Sequence, residues 1–259
     1  MDIKRMSIQQ IAASIFTEET LNRSLVVRLK KDERKGVQAL VQKYERRQKQ
    51  LKALEDMHRS MTVYENELFQ RGLRYIAGLD EVGRGPIAGP VVAAAVVLPP
   101  SFKLLGLTDS KQLSKQKREA FYEVIIAEAI TYAVEIIPAL EVDALNVYQA
   151  SMAAMVRAVD RLTLPIEHLL VDALTLPVDV PQTSLVKGDQ KSVSIAASSV
   201  VAKVVRDRYM EQLEATYPDY GFSKHVGYGT KEHLQAIKEL GITPEHRRSF
   251  EPVKSLLKT

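Results

Sequence analysis

The chain has 259 residues, of which 46% are hydrophobic, enough for one large core or for one core plus an appendage. It contains no cysteine, so disulfide bonds, thiolate zinc sites and cysteine nucleophiles are excluded. The formal net charge is +4. No run approaches the roughly 18 apolar residues of a membrane span, and Gln9 and Gln10 interrupt the apolar N-terminal segment, unlike a signal peptide. We therefore expect a cytoplasmic protein with no membrane partner.

Positive charge is concentrated near the N-terminus. Residues 1–74 contain 16 Lys/Arg and 10 Asp/Glu, a net charge of +6, whereas residues 75–259 contain 20 and 22, a net charge of −2. This asymmetry indicates a polyanionic partner, nucleic acid first. The alternative is that the basic residues only form a solvated helix face.

The N-terminal part has a purely helical pattern. We predict a short helix over residues 7–16 and a long amphipathic helix over residues 32–59, where apolar residues recur at helical spacing. Thr62 and Glu65 have the spacing of a capping box and predict the start of another short helix. We therefore divide the chain into a small all-α extension, residues 1–72, and a body from residue 73 onwards.

The body, residues 73–259, alternates between strands and helices. Short apolar, β-branched runs predict strands, and longer amphipathic runs predict helices. This interleaving around one core predicts an α/β fold. The predicted strands are 75–80, 91–98, 130–137, 167–173 and 183–186, and the predicted helices are 114–129, 142–162, 194–217 and 230–240.

Carboxylates follow three of the predicted strands, namely Asp80 with Glu81, Asp172 and Asp189. Each alone could be a cap or a turn residue, but four converging acids repel one another unless a cation neutralises them. Oxygen-only ligands select Mg²⁺ or Mn²⁺, and two such ions about 3.5–4 Å apart promote phosphodiester hydrolysis. Because adjacent strand residues face opposite ways, Asp80 and Glu81 share a site only if the strand bends, as Gly83 would permit.

The turn Gly83-Arg84-Gly85 follows the first two acids. It is neither a Walker A loop, since no Lys-Ser/Thr follows, nor the dinucleotide-binding fingerprint, since Gly89 falls one residue late. Such a turn can instead present backbone amides and a guanidinium to a sugar-phosphate chain. A purely structural glycine turn is the alternative.

Five segments in this order, DEVGRGPIAGPV, TDSKQLS, LLVDAL, KGDQKSVSIAASSVVAKVVRD and YGFSKHVGYGT, resemble the motifs of ribonuclease HII, and HRRSF at 246–250 resembles its C-terminal signature. The resemblance covers residues 75–230. It implies a ribonuclease H-like fold, a mixed central sheet flanked by helices. It also implies a metal-dependent endonuclease that hydrolyses the RNA strand of RNA–DNA hybrids. The same family cuts 5′ of single ribonucleotides in duplex DNA, leaving 5′-phosphate and 3′-OH ends, in ribonucleotide removal, DNA repair and replication.

Matching the motifs residue by residue assigns roles to ten positions. The resemblance implies that four acids bind Mg²⁺ or Mn²⁺, that a glycine-rich turn contacts the ribonucleotide and its 2′-OH, and that a tyrosine stacks beneath the neighbouring sugar. It implies no obligate protein partner, and we expect a monomer. The implied metal ligands are Asp80, Glu81, Asp172 and Asp189, and the implied substrate contacts are Gly83, Arg84, Gly85, Lys111, Asn146 and Tyr228.

Other functions fit the sequence less well. The main alternative is a non-catalytic nucleic-acid-binding protein, but four acids facing the ligand would repel phosphate in the absence of metal. A phosphotransferase lacks a nucleotide-cradling loop. The five histidines form no recognisable metal-binding pattern, and no G-x-S-x-G nucleophile elbow occurs.

Overall fold

The computed structural model describes residues 6–17 and 23–257; the rest of the predicted extension, residues 1–5 and 18–22, lies outside the described residues. The chain forms two compact units, Met1–Met57 and His58–Thr259. The division that we place after residue 72 remains a prediction about domain organisation. None of the helices in the described residues combines the length and apolar character needed to cross a bilayer.

The first unit is helical, as its sequence predicts. It contains α1 (Ile8–Thr17), α2 (Arg23–Lys30) and most of α3 (Lys35–Met61). Its apolar core is formed by one or two buried side chains from each helix, namely Ile11, Leu29, Val37 and Val41. The spacing of these residues places one apolar stripe on each helix against the others, which is how short helices are stabilised.

The second unit is built on a five-stranded mixed sheet, which confirms the predicted α/β class. The strand order is β3-β2-β1-β4-β5. The central strand β1 pairs antiparallel with β2 and parallel with β4; β2 pairs antiparallel with β3, and β4 pairs parallel with β5. The strands are β1 (Ile76–Val82), β2 (Val91–Val97), β3 (Thr131–Ile137), β4 (His168–Asp172) and β5 (Gln182–Leu185).

Eight α-helices that begin within the described residues 58–257 accompany this sheet. The longest, α8, packs along β1 and β2, and α7 packs on β2 and β3. Strands β1 and β2 are almost wholly buried and apolar, as expected for strands covered by other elements. The helices are α4 (Val63–Gln70), α5 (Lys115–Glu128), α6 (Ala139–Leu145), α7 (Val147–Asp160), α8 (Val193–Thr216), α9 (Phe222–His225), α10 (Lys231–Leu240) and α11 (Val253–Leu256).

The single helix predicted over residues 142–162 is wrong, because the structure has two helices there. Asn146 separates α6 from α7 with a φ of 67°, a left-handed value that ends a helix. Its side-chain oxygen accepts hydrogen bonds from the N–H groups of Tyr148 and Gln149, at 3.0 and 3.1 Å. Asn146 is therefore the N-cap of α7, a role for which asparagine is well suited.

The predicted capping box is also wrong. Thr62 precedes α4, but its side chain makes no capping hydrogen bond. Glu65 is buried, and its Oε1 instead accepts from the Ser192 hydroxyl at 2.5 Å and from the Ser194 N–H at 3.0 Å. Because helix N-termini leave N–H groups unsatisfied and favour negative charge, Glu65 stabilises the start of α8 rather than its own helix.

Three buried histidines, His225, His233 and His246, form a stacked cluster that the sequence did not reveal. The rings of His225 and His233 lie 4.1 Å apart and nearly parallel. The N–H of Thr243 donates to His246 Nδ1 at 2.9 Å, so His246 carries its proton on Nε2, which donates to His233 Nε2 at 3.0 Å. His233 then carries its proton on Nδ1 and donates it to the Tyr228 carbonyl at 2.9 Å.

This cluster should make stability fall in mild acid. Burial lowers the pKa of both His233 and His246 to about 4, against about 6.5 in an unfolded chain. Below pH 6.5 the unfolded state therefore binds more protons, so the contribution to the free energy of unfolding is complete above about pH 6.5 and is lost towards pH 4. Urea unfolding at several pH values tests this expectation.

His246→Gln is the informative variant, because it removes one titrating ring. We expect it to be less stable than the wild type at pH 7 but to lose less further stability between pH 6.5 and 4.5. His58→Gln, which lies outside the cluster, serves as the control and should retain most of the wild-type decline. Identical pH slopes in the wild type and His246→Gln would contradict the assignment.

Candidate active site

Asp80 and Glu81 lie on β1, the central strand of the sheet. The strand pairs regularly through both residues, Asp80 opposite Ala94 and Glu81 opposite Ala93, and continues to Val82. The bend that we took to be necessary if the two acids were to share a site does not interrupt this pairing. Asp80 is 6% exposed, and its Oδ1 accepts the N–H of Glu81 at 2.7 Å. The two carboxylates thus leave the strand in regular alternation and still lie beside other acids.

The other two predicted acids reach the same end of the sheet from neighbouring elements. Asp172 is the last residue of β4, which runs parallel to β1. Asp189 lies in a short 3-10 helix, Gly188–Gln190, just before α8, and is buried. The N–H of Gly188 donates to Asp172 Oδ1 at 2.7 Å, which joins the end of β4 to the Asp189 turn.

The pKa values show that the four acids interact. Burial raises the pKa of Asp80 well above its ordinary value, and the charges of Glu81, Asp172 and Asp189 raise it further. Burial also raises the pKa of Asp189, together with the charges of Asp109 and Asp172, to about 6. Like charges brought together out of water disfavour ionisation in this way. The structure thus brings all four predicted acids into one cluster.

A fifth acid, Asp109, belongs to this cluster and was missed by the sequence reasoning. It is buried, its Oδ1 accepts the N–H of Lys111 at 2.9 Å, and Gln190 Nε2 lies 3.5 Å from its Oδ2. The positive charge of Lys111 partly opposes the rise in the pKa of Asp189. The structure therefore also places Lys111, a predicted substrate contact, close to the cluster. The TDSKQLS motif contained the signal, an acid two residues before the lysine that we selected.

The donor set fits a hard cation. Every member is a carboxylate, and oxygen donors of this kind are the ligands of Mg²⁺ and Mn²⁺. Glu81 Oε1 accepts from Arg84 at 3.1 Å, whereas its Oε2 is buried and has no hydrogen-bond partner among the described residues. Burial raises the pKa of Glu81, and the Arg84 charge opposes this. A buried carboxylate oxygen without a partner is costly unless a cation binds it.

The carboxylates are not yet gathered around a common point. No three His, Cys, Asp or Glu side chains in residues 6–17 and 23–257 form a group that could hold a metal ion. Asp172 Oδ1 accepts the N–H of Gly188 and Glu81 Oε1 accepts from Arg84, so one oxygen of each carboxylate already has a protein donor.

The glycine-rich turn, residues 83–90, lies beside Tyr228. A Cβ atom placed on Gly85 would lie 3.5 Å from Tyr228 Cε1, so the ring faces this glycine at contact distance. Gly227 O accepts the N–H groups of Ile87 and Ala88, at 2.9 and 3.2 Å, which fixes the loop of Tyr228 to the turn. Tyr228 is 49% exposed, so one side of its ring is open to a ligand.

Nine of the ten predicted site residues thus lie in the cluster of acids, on the turn after β1, on the 3-10 helix of Lys111 (Ser110–Gln112) or on the loop of Tyr228. The helix of Lys111 adjoins the acids, whereas the loop of Tyr228 contacts the turn. Asn146 takes no part in the contacts described, since its side-chain oxygen caps α7. Its predicted role as a substrate contact remains a prediction.

Comparison with known proteins identifies the family. The ribonuclease HII model matches residues 77–253, and the model of the ribonuclease HII N-terminal domain matches residues 7–69. The ribonuclease HII of Halalkalibacterium halodurans is 52% identical over 257 residues, 99% of this chain and 98% of that protein.

Solved structures agree in fold. The ribonuclease H2 of Pyrococcus horikoshii OT3 is similar with a TM-score of 0.61 and 26% identity, covering 71% of this chain and 97% of its own. Bst-RNase HIII, solved in complex with Mn²⁺, is 21% identical with a TM-score of 0.57 over 73% of this chain and 71% of its own, a likeness of fold. The chain therefore belongs to the ribonuclease HII family and has the ribonuclease H activity of that family.

Proposed function

We propose that the protein is a metal-dependent endonuclease that cuts the RNA strand of RNA–DNA hybrids and incises duplex DNA on the 5′ side of a single ribonucleotide. The products would be 5′-phosphate and 3′-OH ends, as ribonucleotide removal in DNA repair and replication requires. One observation carries this proposal: a cluster of buried, mutually repelling carboxylates lies next to a glycine-rich turn with an exposed tyrosine beside it.

Asp80, Glu81, Asp172 and Asp189 would hold the cation. Support comes from the buried Glu81 Oε2, which lacks a partner among the described residues, and from the all-carboxylate donor set. Bst-RNase HIII, which shares the fold, was solved with Mn²⁺. Bound Mg²⁺ or Mn²⁺ would supply an activated water and neutralise charge on the leaving oxygen.

The remaining predicted residues would bind and orient the substrate. The 2′-OH distinguishes a ribonucleotide from a deoxyribonucleotide, and reading it requires donors or acceptors close to the sugar edge. Gly83, Arg84 and Gly85 would approach that edge, and the absence of a side chain at the exposed Gly85 leaves room for the sugar. Tyr228 would stack on the neighbouring sugar, and Lys111 would contact the strand near Asp189.

The alternative, a nucleic-acid-binding protein without catalysis, is disfavoured by the same cluster. Buried carboxylates next to the ligand surface repel phosphate and lower affinity, so a protein that only binds has no use for them. The decisive experiment offers a DNA duplex with one ribonucleotide to the protein, with and without Mg²⁺ or Mn²⁺. Metal-dependent incision 5′ of the ribonucleotide supports the proposal, and binding without incision favours the alternative.

Asp80→Asn should nearly abolish cleavage while the protein remains folded. The neutral amide removes a metal ligand at the centre of the cluster, and it also removes a buried charge that is repelled by its neighbours. In metal-free buffer the variant should therefore be at least as stable as the wild type. The measurements are single-turnover cleavage and thermal unfolding, with the exposed Asp160→Asn as control. Normal turnover by folded Asp80→Asn protein would refute the metal assignment.

Tyr228→Ala should slow cleavage about ten- to a hundredfold, because stacking on an aromatic ring contributes roughly 1–3 kcal/mol per nucleotide. Metal affinity should not change, since Tyr228 lies on the Gly85 side of the turn and not among the carboxylates. Tyr228→Phe is the matched control and should retain most of the activity. Equal damage from both substitutions would assign the role to the hydroxyl group instead of the ring.

Deleting residues 1–57 should leave the second unit folded, because the cut retains α4 and the Glu65 cap on α8. The deleted segment carries 13 Lys/Arg and 8 Asp/Glu, a net charge of 13 − 8 = +5. We expect a higher KM, a kcat closer to that of the full chain, and a salt dependence flattened by about one unit of slope for each lost phosphate contact.

The full-length double variant Arg46→Gln/Lys49→Gln tests the same role without a truncation. Both residues are exposed on α3, so their replacement should not affect folding. It should reproduce part of the rise in KM and part of the loss in salt dependence. An unchanged KM and salt slope in both proteins would show that the basic helices form only a solvated face.

A further inference from the structure

Two arginines, Arg206 on α8 and Arg247 after α10, are fully buried, at 1% and 0% exposure. Neither forms an ion pair with a carboxylate in the part of the chain that the structure describes. Burial lowers the pKa of Arg206 to about 10 and that of Arg247 to about 9. Both side chains therefore remain charged at neutral pH. A buried charge is costly unless many hydrogen bonds compensate it, so these side chains need an explanation.

Both guanidinium groups bind backbone carbonyls of the glycine-rich turn. Arg247 donates from Nη2 to Gly83 O at 2.6 Å, from Nη1 to Arg84 O at 3.1 Å, and from Nε and Nη2 to Gly89 O at 3.0 and 2.8 Å. One planar guanidinium group thus binds carbonyl groups at both ends of the turn. Its several N–H donors lie in a fixed forked arrangement, which the ammonium group of a lysine lacks.

Arg206 supports the far end of the turn. Its Nε donates to Pro90 O at 2.9 Å and its Nη2 to Ala88 O at 3.2 Å. Its Nη1 donates to Val226 O at 2.9 Å, on the loop that carries Tyr228. The same side chain therefore links the turn to the loop that lies against it.

The orientation of the carbonyls determines the orientation of the N–H groups. In a planar trans peptide, the C=O of one residue and the N–H of the next point in opposite directions. Because Gly83 O and Arg84 O point towards Arg247, the N–H groups of Arg84 and Gly85 point away from it. Within the described residues, neither N–H has an acceptor in the protein. They are two aligned donors beside the exposed Tyr228 ring.

We propose that Arg206 and Arg247 are positioning residues that hold residues 83–90 in the conformation in which the Arg84 and Gly85 N–H groups meet the 2′-oxygen of a ribonucleotide. This inference rests on the proposed function, ribonucleotide recognition by the Gly-Arg-Gly turn. The two arginines would not touch the nucleic acid. They would act on discrimination between RNA and DNA through the backbone that they hold.

Arg247→Lys tests the proposal because it keeps the positive charge and removes the fork. Binding is measured by fluorescence anisotropy in Ca²⁺ on two DNA duplexes that differ only by one 2′-OH. The readout is the ratio of the two Kd values. We expect the preference for the ribonucleotide duplex to fall about tenfold, as for the loss of one to two hydrogen bonds, with little change in affinity for the all-DNA duplex. Equal weakening on both duplexes, or an unchanged ratio, would overturn the proposal.

Arg208→Lys is the matched control. Arg208 also lies on α8, but it donates to Glu119 and Glu123 of α5 and makes no contact with the turn. It should leave the ratio unchanged. Binding by the wild type distinguishes failure of the proposed ribonucleotide recognition from failure of the role proposed for the arginines. If it shows no preference for the ribonucleotide duplex, the proposed recognition itself fails. If it shows a preference that Arg247→Lys and Arg206→Lys both retain, only the role of the arginines fails.

A measurement on the wild type tests the availability of the two N–H groups, on which the proposal depends, even if the variants do not fold. Amide hydrogen exchange of Arg84 and Gly85 should be fast in the free protein, because these N–H groups have no acceptor among the described residues. The ribonucleotide duplex should slow their exchange, and the all-DNA duplex should slow it much less. Slow exchange in the free protein, or equal protection by both duplexes, would overturn the proposal.

Discussion

The close approach of α8 to β1 is the constraint on which the rest of the second unit depends. A Cβ atom at Gly78 would lie 2.1 Å from the carbonyl carbon of Ser194, a distance that no side chain could occupy. Only glycine lets the helix backbone lie on the central strand. Ser198 then donates to Gly78 O at 2.7 Å, and Ser199, one residue further, lies close enough to Asp80 to oppose the rise in the pKa of that carboxyl. The contact thus aligns the start of α8 with the acid-bearing end of β1.

This alignment concentrates negative charge at one end of the sheet. Asp80 comes from β1, Asp172 from β4, and Asp189 from the turn that leads into α8; β1 pairs with β4, and a hydrogen bond joins Asp172 to that turn. The raised pKa of Asp80 shows the energetic cost of the arrangement in the absence of a cation. Such strain is typical of a site selected for chemistry rather than for stability. Glu65 adds a further restraint by capping α8 from α4.

The proposed substrate side of the site is supported by buried groups that bind its backbone. Arg206 and Arg247 bind the carbonyls of residues 83–90, and the histidine cluster binds the Tyr228 carbonyl through His233. Both supports are buried and polar, and such groups stabilise a fold only when their hydrogen bonds are satisfied. They hold the turn and the loop of Tyr228, the two proposed recognition elements, in a defined geometry, which explains why so many polar side chains are found in the interior of this part of the protein.

The sequence by itself determined the class of fold and the approximate position of most elements, and it singled out the four acids that the structure brings together. Apolar runs such as residues 91–97 and amphipathic runs such as α10 depend on local patterning, which a single sequence displays directly. The acids were found because each follows an apolar strand. Their motifs also occur in the order of a known family, as the match over residues 77–253 confirms.

Only the tertiary structure decided how distant residues act together. Glu65 has the spacing of a local cap but serves a helix that begins 128 residues later, at Val193. Asn146 interrupts an alanine-rich helical pattern through a backbone angle that no periodicity reveals. The buried Arg206 and Arg247 look like ordinary surface charges in the sequence. Their roles depend on which carbonyls the folded chain brings within hydrogen-bonding distance, and long-range proximity of this kind leaves no signature in the spacing of residues along the chain.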